Sequence, residues 1–211
     1  MLVTFFIILS CSSTPAPSWQ ANAHIQMENY IETFMSGKEN FAETHYERFY
    51  ENLLLTADPD IIIKAPLTKC AIEFSIFIES NCESAAELIP MTKDDENRNY
   101  FRFITSSRKL DTMTGKYRRV VESVSKCDVE RTNRAISRVE EGVSTLIAAS
   151  YAVRHNCYNE DTLLKALSVA SENGWIKASG AYLEKLESYY VSSGQSSKAD
   201  EVRKRIELIS K

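Results

Sequence analysis

The chain has 211 residues, 44% of them apolar and 26% charged, with a net charge of −4. These values exclude a low-hydropathy disordered chain and allow a sizeable core in one domain, or two small ones, without help from a metal. Six Gly and five Pro are too few for an all-β fold rich in tight turns, so the composition favours long helices.

Charge is unevenly spread. Residues 1–97 carry 5 Lys/Arg against 15 Asp/Glu, whereas residues 98–138 carry 11 against 4, a basic band of net +7 inside an acidic protein. The band reads either as helix-to-helix charge complementarity within the fold or as a docking face for an acidic partner or anionic lipid. A sequence pI near 5.5 speaks against nucleic acid as the partner.

In chain order, Leu2 to Leu9 is an unbroken apolar run. A spanning helix needs about 20 apolar residues, so the run is too short to cross a bilayer and suits the apolar region of a signal peptide. A Ser/Thr/Pro-rich stretch follows. The quartet Ile8-Leu9-Ser10-Cys11 resembles the lipobox of bacterial lipoproteins: two aliphatic residues, a small residue, then Cys. That resemblance implies cleavage after residue 10, a lipid on Cys11, a flexible tether over 11–20 and, with Ser12 rather than Asp behind the Cys, residence on the periplasmic face of the outer membrane. No Lys or Arg precedes the run. The alternative is therefore a plain secretory signal on a secreted protein.

Residues 21–211 read as a single helical domain, all-α, either an antiparallel bundle or a short irregular stack of helical repeats. Apolar residues recur at three- and four-residue steps over His24–Met35 and Asn40–Leu55, and Asp58-Pro59-Asp60 breaks the pattern. Residues 61–80 alternate partly as a strand would, but no partner strand is evident, and helix is expected. A helix is expected over Asn97–Lys126, with a possible interruption at Thr114-Gly115. Behind the N-cap Asp128, a long helix is expected over Val129–Arg154. Its apolar stripe leaves Arg131, Arg134 and Arg138 on the solvent side, as the candidate docking residues of the basic band. Three more helices are expected over 159–173, 175–193 and 196–209, the first two closed by Gly174 and Gly194.

The last two read Tyr182-Leu183-x-x-Leu186-x-x-Tyr189-Tyr190, then Gly194, Ala199, Val202 and Ile206. This resembles a tetratricopeptide repeat, with aromatic and Leu positions on the first helix, Gly at the turn and a small residue where the second helix crosses closely. An early segment echoes it with Tyr30, Phe34, Gly37, Ala42, Tyr46 and Phe49. The Trp and Leu-Gly positions of such repeats are matched only in part, and ordinary helical hairpins are the other reading.

Besides Cys11 there are four cysteines: Cys70, Cys82, Cys127 and Cys157. In an exported chain these predict two disulfides. A continuous helix of about 26 residues would hold Cys127 and Cys157 roughly 40 Å apart, and a helix over 71–80 would hold Cys70 and Cys82 about 18 Å apart. Bridged Cα atoms must lie within ~7 Å, which excludes both pairs. Cys82 and Cys157 each follow a helix, while Cys127 precedes one and Cys70 lies near the start of another. In an up-down stack the expected pairs are therefore Cys70–Cys127 and Cys82–Cys157.

No catalytic or metal-binding pattern emerges. His24, His45 and His155 fall in no zinc-protease or hydrolase motif, and no Gly-rich loop could cradle a phosphate. His155 lies two residues from Cys157, and is expected to serve as a helix C-terminal residue favoured by the dipole. Asp94-Asp95-Glu96 lacks calcium-loop spacing and reads as a solvated helix start. No cofactor, metal or enzymatic activity is expected. The leading functional expectation is a lipid-anchored periplasmic scaffold or binding protein that meets an envelope protein. The alternatives are a conjugation-exclusion or toxin-immunity lipoprotein that binds one incoming protein, and a secreted eukaryotic helical protein that binds a small apolar ligand.

Overall fold

The computed structural model describes residues 17–80, 82–140 and 142–210. The signal segment, Cys11 and most of the expected tether lie outside them. Among the described residues all regular structure is helical. The helices are α1 (Ser18–Met35), α2 (Glu39–Leu54), α3 (Pro59–Ile62), α4 (Lys64–Ser75), α5 (Glu83–Leu88) and α6 (Asp95–Thr105), followed by α7 (Arg118–Ser125), α8 (Val129–Ile136), α9 (Gly142–Arg154), α10 (Glu160–Glu172), α11 (Ile176–Ser192) and α12 (Ser196–Ile209).

Helix starts follow local side-chain chemistry. Asp58, Asp94 and Asp128 accept backbone N–H bonds at the heads of α3, α6 and α8, and Asn159 forms a capping box with Thr162 at the head of α10. Asp94 thus serves the solvated helix start expected of its acidic run. Helix ends repeat one device. The left-handed residue Gly37 donates to Phe34 O and Lys38 to Thr33 O; Gly194 donates to Val191 O and Gln195 to Tyr190 O. Gly174 closes α10 in the same way. This satisfies carbonyls that would otherwise be orphaned and turns the chain sharply. Consecutive helices α1–α2 and α11–α12 therefore form tight hairpins, each with a buried alanine five residues past the glycine, Ala42 and Ala199.

The centre of the molecule is α9. Its residues Ser144 to Ala152 are all buried, as expected of a helix surrounded on every side. Helices α4, α8 and α10 pack on it. The Tyr182 hydroxyl from α11 reaches into this layer, within hydrogen-bond distance of Ser75 O (2.9 Å), Leu146 O (2.9 Å) and Ser150 Oγ (3.1 Å). The α1–α2 hairpin lies against α4 and α11. It shares a smaller apolar cluster of Ala23, Phe49, Leu53 and Ala65 with the start of α4.

Three expectations need correction. Residues 97–126 do not form one helix: α6 ends at Thr105, Ser106 turns extended, and helix resumes only beyond Gly115. Residues 129–154 likewise split. Arg138 and Val139 donate to carbonyls three residues back and tighten the end of α8, while the Val139 carbonyl accepts from Thr145 Oγ1. The stripe of Ile136, Val139 and Val143 runs across the break, so periodicity alone hides it.

The third correction is the disulfide pattern. Cys70 is bridged to Cys82, with Cα atoms 5.5 Å apart, so neither Cys70–Cys127 nor Cys82–Cys157 forms. The exclusion of the 70–82 bridge assumed helix to residue 80. Instead α4 stops at Ser75, Phe77 adopts a left-handed φ of 65°, and the chain doubles back. Cys127, exposed, and Cys157, buried, carry free thiols.

Candidate binding cavity

A cavity of about 590 Å³ opens between the α1–α2 hairpin and the body of the protein. Each wall is one helical face. Helix α4 contributes Lys64, Leu67, Thr68, Ala71 and Ile72, the three- and four-residue spacing of a single stripe. Met27 and Ile31 come from α1, Phe49 and Leu53 from α2, and Val143 and Ile147 from α9. The remaining side is closed by Tyr100 of α6 and by Met113 and Tyr117 from the irregular segment between α6 and α7. Aliphatic and aromatic carbon dominates these walls. The volume lies within the range of about 300–1,000 Å³ typical of small-molecule sites.

Polar residues also line it, among them Thr68, Glu96, Asn99 and Thr114. Lys64 and Lys116 are exposed, and Lys116 Nζ donates to Ser144 Oγ at 3.2 Å. Asn97 is buried and donates to the Asp60 carbonyl at 3.0 Å, tying α3 to α6 beside the cavity. The Asp60 carboxylate accepts from Thr92 Oγ1, Asp94 N and Lys93 N. Those bonds, led by Thr92, hold its carboxyl below the usual range. His24 at the margin faces Glu28 at 3.3 Å.

The hairpin that roofs the cavity is clasped by two lysines. Lys69 of α4 pairs with Glu43 (3.3 Å) and stands 4.5 Å from the centre of the Tyr46 ring. Lys177 of α11 pairs with Glu39 (2.8 Å) and stands 4.0 Å from the centre of the Phe34 ring. Trp175 Nε1 donates to Glu32 at 2.7 Å.

Arg131, Arg134 and Arg138 are all exposed, and the first two share the face of α8 opposite buried Thr132, Ala135 and Ile136. Arg134 pairs with Glu130 at 3.7 Å within its own helix, as Arg118 does with Glu122 and Arg98 with Asp95. These ion pairs of the band are local, within one helix, rather than between helices. His155 follows α9 and is buried edge-on against Tyr151, with ring centres 4.4 Å apart. Burial, and then the neighbouring Arg154 and Lys109, depress its pKa to about 4. The expected dipole-stabilised imidazolium is therefore a neutral ring. Among the described residues no group of three or more His, Cys, Asp or Glu could hold a metal ion, and no helix is long and apolar enough to cross a membrane.

Sequence reading missed the cavity because its walls use the same residue types, at the same spacing, as a filled core. No family model, curated protein or solved structure matches this chain.

Proposed function

We propose that this protein is a non-catalytic binding module that takes an elongated apolar guest into the cavity between its N-terminal hairpin and its body. The observation that carries the reading is a space of about 590 Å³ with hydrocarbon walls and lysines at its margin. Burial of apolar surface supplies the affinity, and the polar groups orient a guest with one polar end. A dansyl-labelled fatty acid is the first ligand to try. Saturable binding is expected, and Ala71→Phe, which places a ring in the cavity, should weaken it by about tenfold or more, some 1.4 kcal/mol, with the circular dichroism melt retained. Undiminished binding by the variant, or none by the wild type, rejects the reading.

The protein acts, on this proposal, as a lipid-anchored module of the cell envelope held through Cys11. The Cys70–Cys82 disulfide supports an oxidising compartment, and the lipobox-like quartet supports the anchor. Mass spectrometry of the mature N-terminus tests it: an unmodified terminus downstream of Cys11 leaves a secreted protein instead. A second reading is favoured by the exposure of Arg131, Arg134 and Arg138. In it the basic face docks an acidic protein, as an envelope scaffold or an exclusion or immunity factor would. Salt-sensitive capture that is lost in Arg131→Glu/Arg138→Glu is its signature.

A further inference from the structure

We infer that Cys127 and Cys157 form a second disulfide site, which locks the turn before α8 to the turn after α9. Both cysteines lie at helix-ending turns of the kind made by the glycines. Cys127 is itself the left-handed residue closing α7, donating to Val124 O with Asp128 N on Ser123 O; Asn156 is the left-handed residue closing α9, donating to Val153 O with Cys157 N on Ala152 O. The two turns meet. Cys127 Sγ donates at 3.7 Å to the carbonyl of Asn156, the residue directly before Cys157, and the Cys127 thiol is near enough to act on the Cys157 pKa. Cys157 Sγ also lies 3.8 Å from Thr132 Oγ1, in the first turn of the helix that Cys127 precedes. The break after Ile136 makes this meeting possible, since a continuous helix would keep the sulfurs far apart.

Holding a β-carbon at a φ of 47° disfavours Cys at 127, where glycine would be relaxed. The two thiols also differ in access. Cys127 is exposed, while burial, and then the neighbouring Cys127, push the Cys157 thiol up to about 11. Chemistry therefore begins at Cys127.

The oxidant is a small-molecule or protein disulfide, such as oxidised glutathione. The Cys127 thiolate attacks one sulfur of that disulfide, its S–S bond breaks, and one thiol leaves. Cys157, after giving its proton to water, attacks Sγ of Cys127 and displaces the second thiol. Two protein thiols are oxidised by loss of two electrons and two protons, and the external disulfide is reduced to two thiols.

The test uses the full chain, purified, fully reduced, and equilibrated with excess oxidised glutathione. Remaining thiols are blocked with N-ethylmaleimide under denaturing conditions, and the chain is digested without reduction. The expected product contains a 127–157 cross-linked peptide beside the 70–82 one. Maleimide on both Cys127 and Cys157, or a link from either to Cys70 or Cys82, overturns the inference. The Cys157→Ser variant should stop at the first step and retain glutathione on Cys127 through gel filtration, whereas wild type should not. Equal retention by both overturns it as well.

Discussion

Tyr30 and Tyr182 are both fully buried, and burial holds both phenols well above their ordinary pKa. Their hydroxyls nonetheless have opposite surroundings. Tyr182 lies among Ser75 O, Leu146 O and Ser150 Oγ, whereas the Tyr30 hydroxyl has no hydrogen-bond partner among the described residues. Removing a satisfied buried hydroxyl strands its partners, while removing an unsatisfied one relieves a desolvation cost. Tyr182→Phe should therefore lose about 2 kcal/mol in urea denaturation, and Tyr30→Phe should stay within about 0.5 kcal/mol of wild type or gain slightly. His155 gives a pH dependence. Its folded pKa, about 4, lies below the ordinary 6.5, so the unfolded chain binds the proton more tightly. The stability contributed by the neutral ring is complete above about pH 6.5 and is lost as the pH falls towards 4. Allowing for solvent screening, the loss is on the order of 1–2 kcal/mol. In thermal melts between those limits the wild-type Tm should fall relative to that of His155→Phe as the pH falls.

At the scale of elements, two glycines inside helices separate packing from propensity. A β-carbon at Gly142 would meet the Trp175 ring at 3.0 Å, whereas one at Gly180 would make ordinary contact with Ile209 at 3.6 Å. Gly142→Ala should destabilise by about 1–3 kcal/mol through overpacking. Gly180→Ala should stabilise by about 0.5–1 kcal/mol, because alanine loses less backbone entropy in a helix. Differential scanning calorimetry of the pair distinguishes them by sign. The Gly142–Trp175 contact joins residues far apart in the chain, and nothing local announces it. The same divide explains what was legible. Closing glycines could be read directly: Gly37 and Gly194 set the hairpins α1–α2 and α11–α12, and α10 lies between the capping Asn159 and Gly174. Gly115 announced the interruption before α7 but not its reach back to Thr105, and the break after Ile136 carries no Pro and leaves the apolar stripe in register, so it was hidden. Phe77, Cys82, Cys127 and Asn156 adopt left-handed turns without glycine, which concealed both chain reversals on which the cysteine geometry depends. The cavity was invisible for a related reason, since residue type reports burial and not the space left between buried faces.

At the scale of the whole molecule, the α1–α2 hairpin is both a wall of the cavity and a unit clasped by surface contacts. Lys69 and Lys177 reach it from two different helices, each combining a carboxylate with an aromatic face. These contacts are exposed, so they guide the hairpin's position more than they set global stability. The double variant Lys69→Ala/Lys177→Ala should therefore melt near the wild-type temperature. Limited proteolysis should cut it first between residues 54 and 60, ahead of the body, and simultaneous cutting everywhere would show that the hairpin is not a separable unit. The bond from Trp175 to Glu32 has a further use. The chain has two tryptophans, and Trp19→Phe leaves the indole at that seam as the sole emitter. Its fluorescence then acts as a built-in gauge of closure. Blue-shifted light would mark a seated hairpin, and a red shift would give the rate at which a guest is admitted or released.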